Sequence, residues 1–262
     1  MFSSYIAVGD SFTEGLGDEL PDGRVRGWAD FVAVGFALAA SAAGTEPVRY
    51  ANLAIRGRKL GPLLAEQLAP AIAQSPRLIS LNGGGNDIMR PRVSTASVAR
   101  QLELAMERVT GAGIHMLLLS GGNPTDHLPM GDLVSKRGDE LADTVRALFP
   151  RTNATFVDNW ADSGLRDLRY WSADRLHLNS LGHARVAGNV LTAFGVAVPA
   201  EWGVDEVAAA PVGPRSRRTL EYYRRYVLPW IGRRLTGRSS GDGRVAKLPT
   251  LTPVDPSRVT PV

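Results

Sequence analysis

Four short stretches hold the residues of this chain best suited to chemistry. The first, YIAVGDSFTEGLGD (residues 5–18), sets Ser11 directly after an apolar run and ahead of a glycine-rich polar loop. NLAIRG carries Asn52 and Gly57, GGGND carries Asn86 and Asp87, and DRLHLNSLGH carries Asp174, His177 and His183. A serine hydroxyl, an imidazole and a carboxylate are the parts of nucleophilic acyl transfer, and N–H donors in a glycine-rich loop suit the oxyanion that forms. Asp174 lies three residues before His177, so its carboxylate can reach the ring Nδ1 within one turn. Taken singly, each part has a plainer reading. Ser11 can be a helix cap, GGGND a tight turn with a side-chain bond, and Gly57 a left-handed turn glycine.

These parts matter only if the fold gathers them. Apolar runs at 4–9, 48–53, 77–82, 114–120 and 154–158 read as strands, and the patterns at 28–43, 59–73, 95–110, 133–149 and 180–194 read as helices. In 95–110, Val98, Leu102, Ala105, Met106 and Val109 fall on one helical face. Short apolar strands alternating with helices predict an α/β fold, a three-layer α/β/α sandwich around a five-stranded parallel sheet. Ligands of such sheets bind beyond the carboxyl ends of the strands, where all four stretches fall. No internal repeat is present.

Composition narrows the class. The chain of 262 residues is 44% hydrophobic and 21% charged, ordinary for a globular protein. No uncharged apolar run approaches the roughly 18 residues of a membrane span. The amino terminus lacks the pattern of a secretion signal, so a cytoplasmic protein is expected. The absence of cysteine excludes disulfides, thiolate metal sites and a cysteine nucleophile. No His/Asp cluster has ligand spacing, and neither metal nor organic cofactor is expected.

The charge is unevenly placed. Residues 1–200 carry 19 Lys+Arg against 20 Asp+Glu, and residues 201–262 carry 11 against 6. The chain therefore divides into a main domain over 1–200, a linker with a basic amphipathic helix over 201–238, and a tail over 239–262. The helix RTLEYYRRYVLPWIGRRL places Leu220, Tyr223, Val227, Ile231 and Leu235 on one side, with Pro229 interrupting it. Docking of that side on its own or a neighbouring catalytic domain is expected ahead of attachment to an anionic membrane or nucleic acid. The tail is rich in Gly, Ser and Pro and is expected to be poorly ordered and dispensable for stability.

The four stretches, in this order, resemble conserved blocks of the SGNH hydrolases, the GDSL esterase/lipase family. VGDSFTEG resembles the first block, with Phe12 where the family name has Leu. NLAIRGRKL resembles the second, NGGGNDI the third, and DRLHLNSLGHARVA the fifth, with Leu178 where the family often has Pro. The resemblance spans about residues 4–195. It implies Ser11 as nucleophile, His177 as general base, Asp174 as its orienting carboxylate, and an oxyanion hole from Ser11, Gly57 and Asn86. It also implies hydrolysis of a small-molecule ester through an acyl-enzyme, without metal or cofactor. Transfer of the acyl group to a sugar or alcohol would use the same triad.

Other titratable residues invite lesser roles. His183 falls on the last helix and is the weaker candidate for the base. Asp126 and His127 belong to a loop that is solvated or lines an acyl pocket, and His115 sits inside a strand as a core histidine. Asp10 and Asp87 flank Ser11 and Asn86 and suit the ordering of those loops. Arg24, Arg26, Arg56 and Arg58 form a charged loop or a positive pocket rim.

Overall fold

The computed structural model describes residues 2–129, 131–204, 206, 219–229, 232 and 239–258. In chain order, β1 (Ser4–Gly9) leads through the single turn α1 (Ser11–Glu14) to α2 (Trp28–Ala42). Strand β2 (Arg49–Asn52) follows, then α3 (Leu60–Leu63), a π turn, and α4 (Ala69–Ala73). Next come β3 (Leu78–Asn82), the turn α5 (Gly85–Ile88), α6 (Thr95–Gly111), β4 (His115–Leu119) and α7 (Gly131–Arg146). Strand β5 (Ala154–Val157), α8 (Ser180–Ala193) and β6 (Leu248–Pro253) complete the series.

The sheet runs β5-β4-β3-β1-β2-β6. The first five strands are parallel, with β1 in the centre, where Tyr5 is opposite Tyr50 on one side and Leu78 on the other. Every residue of β3 is buried, as expected of a parallel strand covered on both faces. One cover is α2 against α8, where Trp28, Phe31, Phe36, Val190 and Leu191 are buried. The other includes α6, which buries Val98, Leu102, Ala105, Met106 and Val109, the face legible in the sequence. Burying each large side chain of this kind contributes roughly 1.5–3 kcal/mol. Among the described residues, no helix is long and apolar enough to cross a membrane.

Two expectations for the carboxyl-terminal region need correction. The sheet has a sixth strand, because the segment expected to be poorly ordered forms β6, antiparallel to β2. The tail hid this strand because Leu248 and Leu251 lie three residues apart and break the two-residue alternation of a strand, and Pro249 and Pro253 discourage a strand reading. At a sheet edge those prolines are tolerated, since their missing N–H groups face away from the ladder. Side chains complete the edge. Gln74 Nε2 donates to Pro249 O at 2.9 Å, its Oε1 accepts from Leu251 N at 3.0 Å, and Arg49 donates to Leu251 O at 2.9 Å.

The basic helix also presents a different residue. Leu220 is 76% exposed, whereas Tyr222 is buried, its hydroxyl donating to Asp174 O at 3.2 Å and its ring 4.7 Å from the Arg175 guanidinium carbon. A ring with a polar tip satisfies a carbonyl where an aliphatic chain would not. Ile231 and Leu235 lie outside the described residues.

Candidate active site

Ser11 owes its position to the abrupt end of β1. Asp10 caps α1, its Oδ1 accepting from Phe12 N at 3.1 Å, so Ser11 opens the helical turn at the carboxyl edge of the sheet. Gln67 fixes the residue before, donating to Gly9 O at 3.0 Å and accepting from Gly9 N at 2.9 Å. That buried amide pairs with the backbone as a neighbouring strand would. Sequence reasoning missed it; the only signal is a glutamine on the buried side of a helical run.

A hydrogen-bonded row starts at Ser11. His177 Nε2 lies 3.0 Å from Ser11 Oγ, and His177 Nδ1 lies 2.6 Å from Asp174 Oδ2. The other Asp174 oxygen accepts from the backbone N–H groups of Leu176 and His177, each at 2.9 Å, and from Ser172 Oγ at 2.8 Å. Burial alone would raise this carboxyl. The hydrogen bond and charge of His177, together with the two backbone donors, outweigh burial and hold it well below the usual carboxylate range. An ionised Asp174 accepting at Nδ1–H leaves the Nε2 lone pair for the serine proton. Arg175 adopts a left-handed backbone (φ 59°) in the turn between Asp174 and His177, a conformation costly for a non-glycine residue. The following helix α8 starts on Asn179, whose Oδ1 accepts from Gly182 N at 3.0 Å.

The opposite wall is built from β2 and β3. Gly57 is left-handed (φ 71°) and lines the same pocket as Ser11 and His177. Among the described residues, neither Gly57 N–H nor Ser11 N–H has a hydrogen-bond partner. The Gly57 turn is tied to α1 by Glu14, which accepts from Arg56 N at 2.7 Å and Arg56 Nε at 2.9 Å. Asn86 lines this wall too, but its amide is already committed. Nδ2 donates to Asp10 Oδ2 at 2.9 Å and to Arg58 O at 3.1 Å, so serving an oxyanion requires releasing one of these. Asp10 is 5% exposed, and burial pushes its carboxyl up to about 6 despite the Phe12 N–H, the His177 charge and the Asn86 amide. Asp87 orders the neighbouring loop by accepting from Leu60 N at 2.8 Å.

The remaining candidates lie apart from this row. His183 is fully buried, accepting from Trp28 N at Nδ1 and donating to Leu16 O from Nε2, each at 3.2 Å. His127 donates to Arg166 O at 2.8 Å, and Asp126 pairs with Arg166 at 2.6 Å. His115 is half-buried at the start of β4, its ring bonded to Asn153 and Thr155. The arginines do not make a free positive rim. Arg24 pairs with Asp22, Arg26 with Asp18, Arg56 with Glu14 and Arg58 with Glu66. Among the described residues, no group of three His, Cys, Asp or Glu side chains could hold a metal ion.

From Ser11 the pocket, about 390 Å³, descends between α6 and α7 over β4 and β5. Leu102, Leu118, Leu141, Val145 and Phe156 line its apolar depth, while Ser239 and Ser240 stand among its walls. Of these residues, Leu102 lies on the helix face legible in the sequence, and Ser239 and Ser240 belong to the segment expected to be a dispensable tail.

A family model described as GDSL-like Lipase/Acylhydrolase family matches residues 7–185. No curated protein matches the chain by sequence. Solved structures share its fold at low identity. The lipase Lip_vut3 from a goat rumen metagenome is 19% identical with a TM-score of 0.62, over 75% of this chain and 99% of that one. A mutant of Axe2, an acetyl-xylooligosaccharide esterase from Geobacillus stearothermophilus, is 21% identical with a TM-score of 0.60, over 74% of this chain and 95% of that one. The psychrotrophic esterase EstA from Pseudoalteromonas sp. is 16% identical with a TM-score of 0.52, over 74% of this chain and 97% of that one.

Proposed function

Since the chain belongs to the GDSL-like lipase/acylhydrolase family, whose members hydrolyse esters, we propose that it is a serine esterase with Ser11 as nucleophile. The observation that carries this reading is the unbroken row from Ser11 Oγ through His177 to Asp174, at 3.0 and 2.6 Å. Ser11 Oγ attacks the ester carbonyl as its proton passes to His177 Nε2. Asp174 holds Nδ1–H, fixing the tautomer and stabilising the imidazolium. The unpartnered N–H groups of Ser11 and Gly57 receive the oxyanion, joined by Asn86 once it releases Asp10 or Arg58. His177 then protonates the departing alcohol, and the same imidazole activates water to hydrolyse the acyl-enzyme. None of these steps calls on a metal or an organic cofactor. Two other Axe2 structures, replaced at a serine and at an aspartate, are described as catalytic mutants, in keeping with a serine and an aspartate in the site proposed here.

The pocket points to the substrate class. Its depth between α6 and α7 is walled by leucine, valine and phenylalanine, so an aliphatic acyl chain gains far more there than acetyl does, about 0.8 kcal/mol per buried methylene. We infer that the substrate is an ester of an apolar acyl group longer than acetyl. A series of p-nitrophenyl esters from acetate to long chains tests this. The expected kcat/KM rises beyond acetate by up to about tenfold per two carbons before it falls, and a maximum at acetate would refute it.

A further inference from the structure

The family match ends at residue 185, yet a segment more than fifty residues farther on is built into the wall of the site. Ser239 Oγ donates to Gly57 O at 3.2 Å. Its own geometry is set locally, since Ser239 N donates to Asp242 Oδ2 at 2.8 Å and Ser239 Oγ accepts from Gly241 N at 3.1 Å. Gly241 presses on the preceding peptide, where a Cβ would come within 2.1 Å of Arg56 O. The segment is anchored downstream. Lys247 Nζ donates to Glu14 O at 2.7 Å and to Val25 O at 3.1 Å, and pairs with Asp30 at 2.6 Å, before the chain enters β6.

The contacts fall on both peptide units that flank Gly57. The Arg56–Gly57 unit carries the N–H without a hydrogen-bond partner among the described residues, and its carbonyl is covered by Gly241. The Gly57–Arg58 unit is held through its carbonyl by Ser239. A left-handed glycine has no side chain to limit its φ and ψ, so the direction of its N–H depends on what grips the units around it. On one side Glu14 grips Arg56; on the other the grip comes from Ser239 and Gly241.

We propose that the segment 239–247 is a working part of the ester site, with Ser239 as a positioning residue that aims the Gly57 N–H at the oxyanion. This rests on the reading of Gly57 as an oxyanion donor. It also implies that the part matched by the family is incomplete as a catalyst without its carboxyl-terminal segment. Loss of a whole oxyanion donor costs about 10²–10³ in kcat, so misaiming one should cost about tenfold.

The test compares Ser239→Ala and Ser239→Thr in the full chain, with Ser11→Ala alongside. Each is read by kcat, KM, thermal melting and inhibition by an alkyl trifluoromethyl ketone, whose serine adduct places an oxyanion in the hole. Ser239→Ala is expected to lower kcat about tenfold, leave KM within about twofold, and weaken the ketone by the same factor as kcat. Ser239→Thr, which keeps the hydroxyl, should restore both. Unchanged kcat and ketone affinity in Ser239→Ala, or a loss that Ser239→Thr does not restore, would overturn the proposal while Ser11→Ala remains inactive. A Ser11→Ala enzyme that keeps its activity overturns the esterase mechanism instead, so the two failures are distinct.

Discussion

The two walls of the site are held in opposite ways. On the His177 wall the groups that fix the Asp174 carboxylate come from Ser172, Leu176 and His177 itself, all within three residues of it. On the Gly57 wall, Glu14 reaches Arg56 across 42 residues and Ser239 reaches Gly57 across 182. The carboxylate of the first wall is held within one short stretch, while its backbone is reached from afar by the Tyr222 hydroxyl, which donates to Asp174 O. The second exists only when α1, the β2 loop and the carboxyl-terminal segment are assembled. Damage to the first should therefore strike chemistry with little effect on folding, whereas damage to the second should strike both.

The largest expected effects test the local wall. Ser11→Ala should fold and melt like the wild type but lose roughly 10⁴-fold or more in kcat, because members of such a row act as a unit. An active-site fluorophosphonate should label the wild type at Ser11 and leave Ser11→Ala unlabelled. Asp174→Asn keeps the shape but cannot fix the same His177 tautomer, and it should lower kcat by about 10³–10⁴. A melting temperature within a few degrees of wild type in both would establish that this wall is catalytic first. Retained activity in Ser11→Ala would remove the premise of the comparison.

Deleting residues 239–262 tests the assembled wall and should have a smaller catalytic effect with a structural one beside it. The cut removes Ser239 and Gly241 from the Gly57 loop, Lys247 from Glu14 and Asp30, and β6 from the edge of β2. It also uncovers the β2 edge, an invitation to intermolecular pairing. A loss of about 2–3 kcal/mol from the partly buried Leu248 and Leu251 and the missing contacts corresponds to a melting temperature about 5–10 °C lower. Calorimetry and kcat on the same preparation check it. A truncation with wild-type melting and wild-type kcat would mean that the two walls are held alike.

The same contrast explains what the sequence disclosed. Ser11, Gly57, Asn86, Asp174 and His177 announce themselves because each sits in a short stretch with turn residues around it, and α6 shows its buried face through a regular period. Partners joined across the fold carry no such mark. The Asn86 amide is expected at the oxyanion, but only the folded chain brings Asp10 and Arg58 against it. Arg56 and Arg58 read as surface charge until Glu14 and Glu66 come opposite them. The proline-broken β6 is a strand only because β2 offers an edge and Gln74 completes its bonding. Local signals mark the candidate residues, and long-range contacts bring together the groups around them.

The smallest effect on activity separates the two histidines of the last block, where the expected change is in stability alone. His183 is buried with its Nδ1 accepting from Trp28 N, so a proton there would set two donors against each other. Burial pushes the imidazole down from 6.5 to about 4, opposed by the Leu16 carbonyl and by Asp18 and Asp30, while Lys247 adds to the depression. In the unfolded chain the ring takes up its proton near 6.5, whereas in the folded protein it stays neutral until about 4. Between those values the unfolded state binds more protons, so stability falls as pH falls, by at most about 1.4 kcal/mol per unit and about 3 kcal/mol over the window. Asp10, raised from 3.8 to about 6, works in the opposite direction over most of the same range, so the wild-type curve alone would hide the effect. The difference between wild type and His183→Gln isolates it, because glutamine can accept from Trp28 N and donate to Leu16 O without titrating. Urea unfolding from pH 7.5 to 4.5 should find the wild type losing stability relative to His183→Gln as the pH falls, with kcat at neutral pH close to wild type. A difference that stays flat across that range would mean that His183 is not held neutral by its burial.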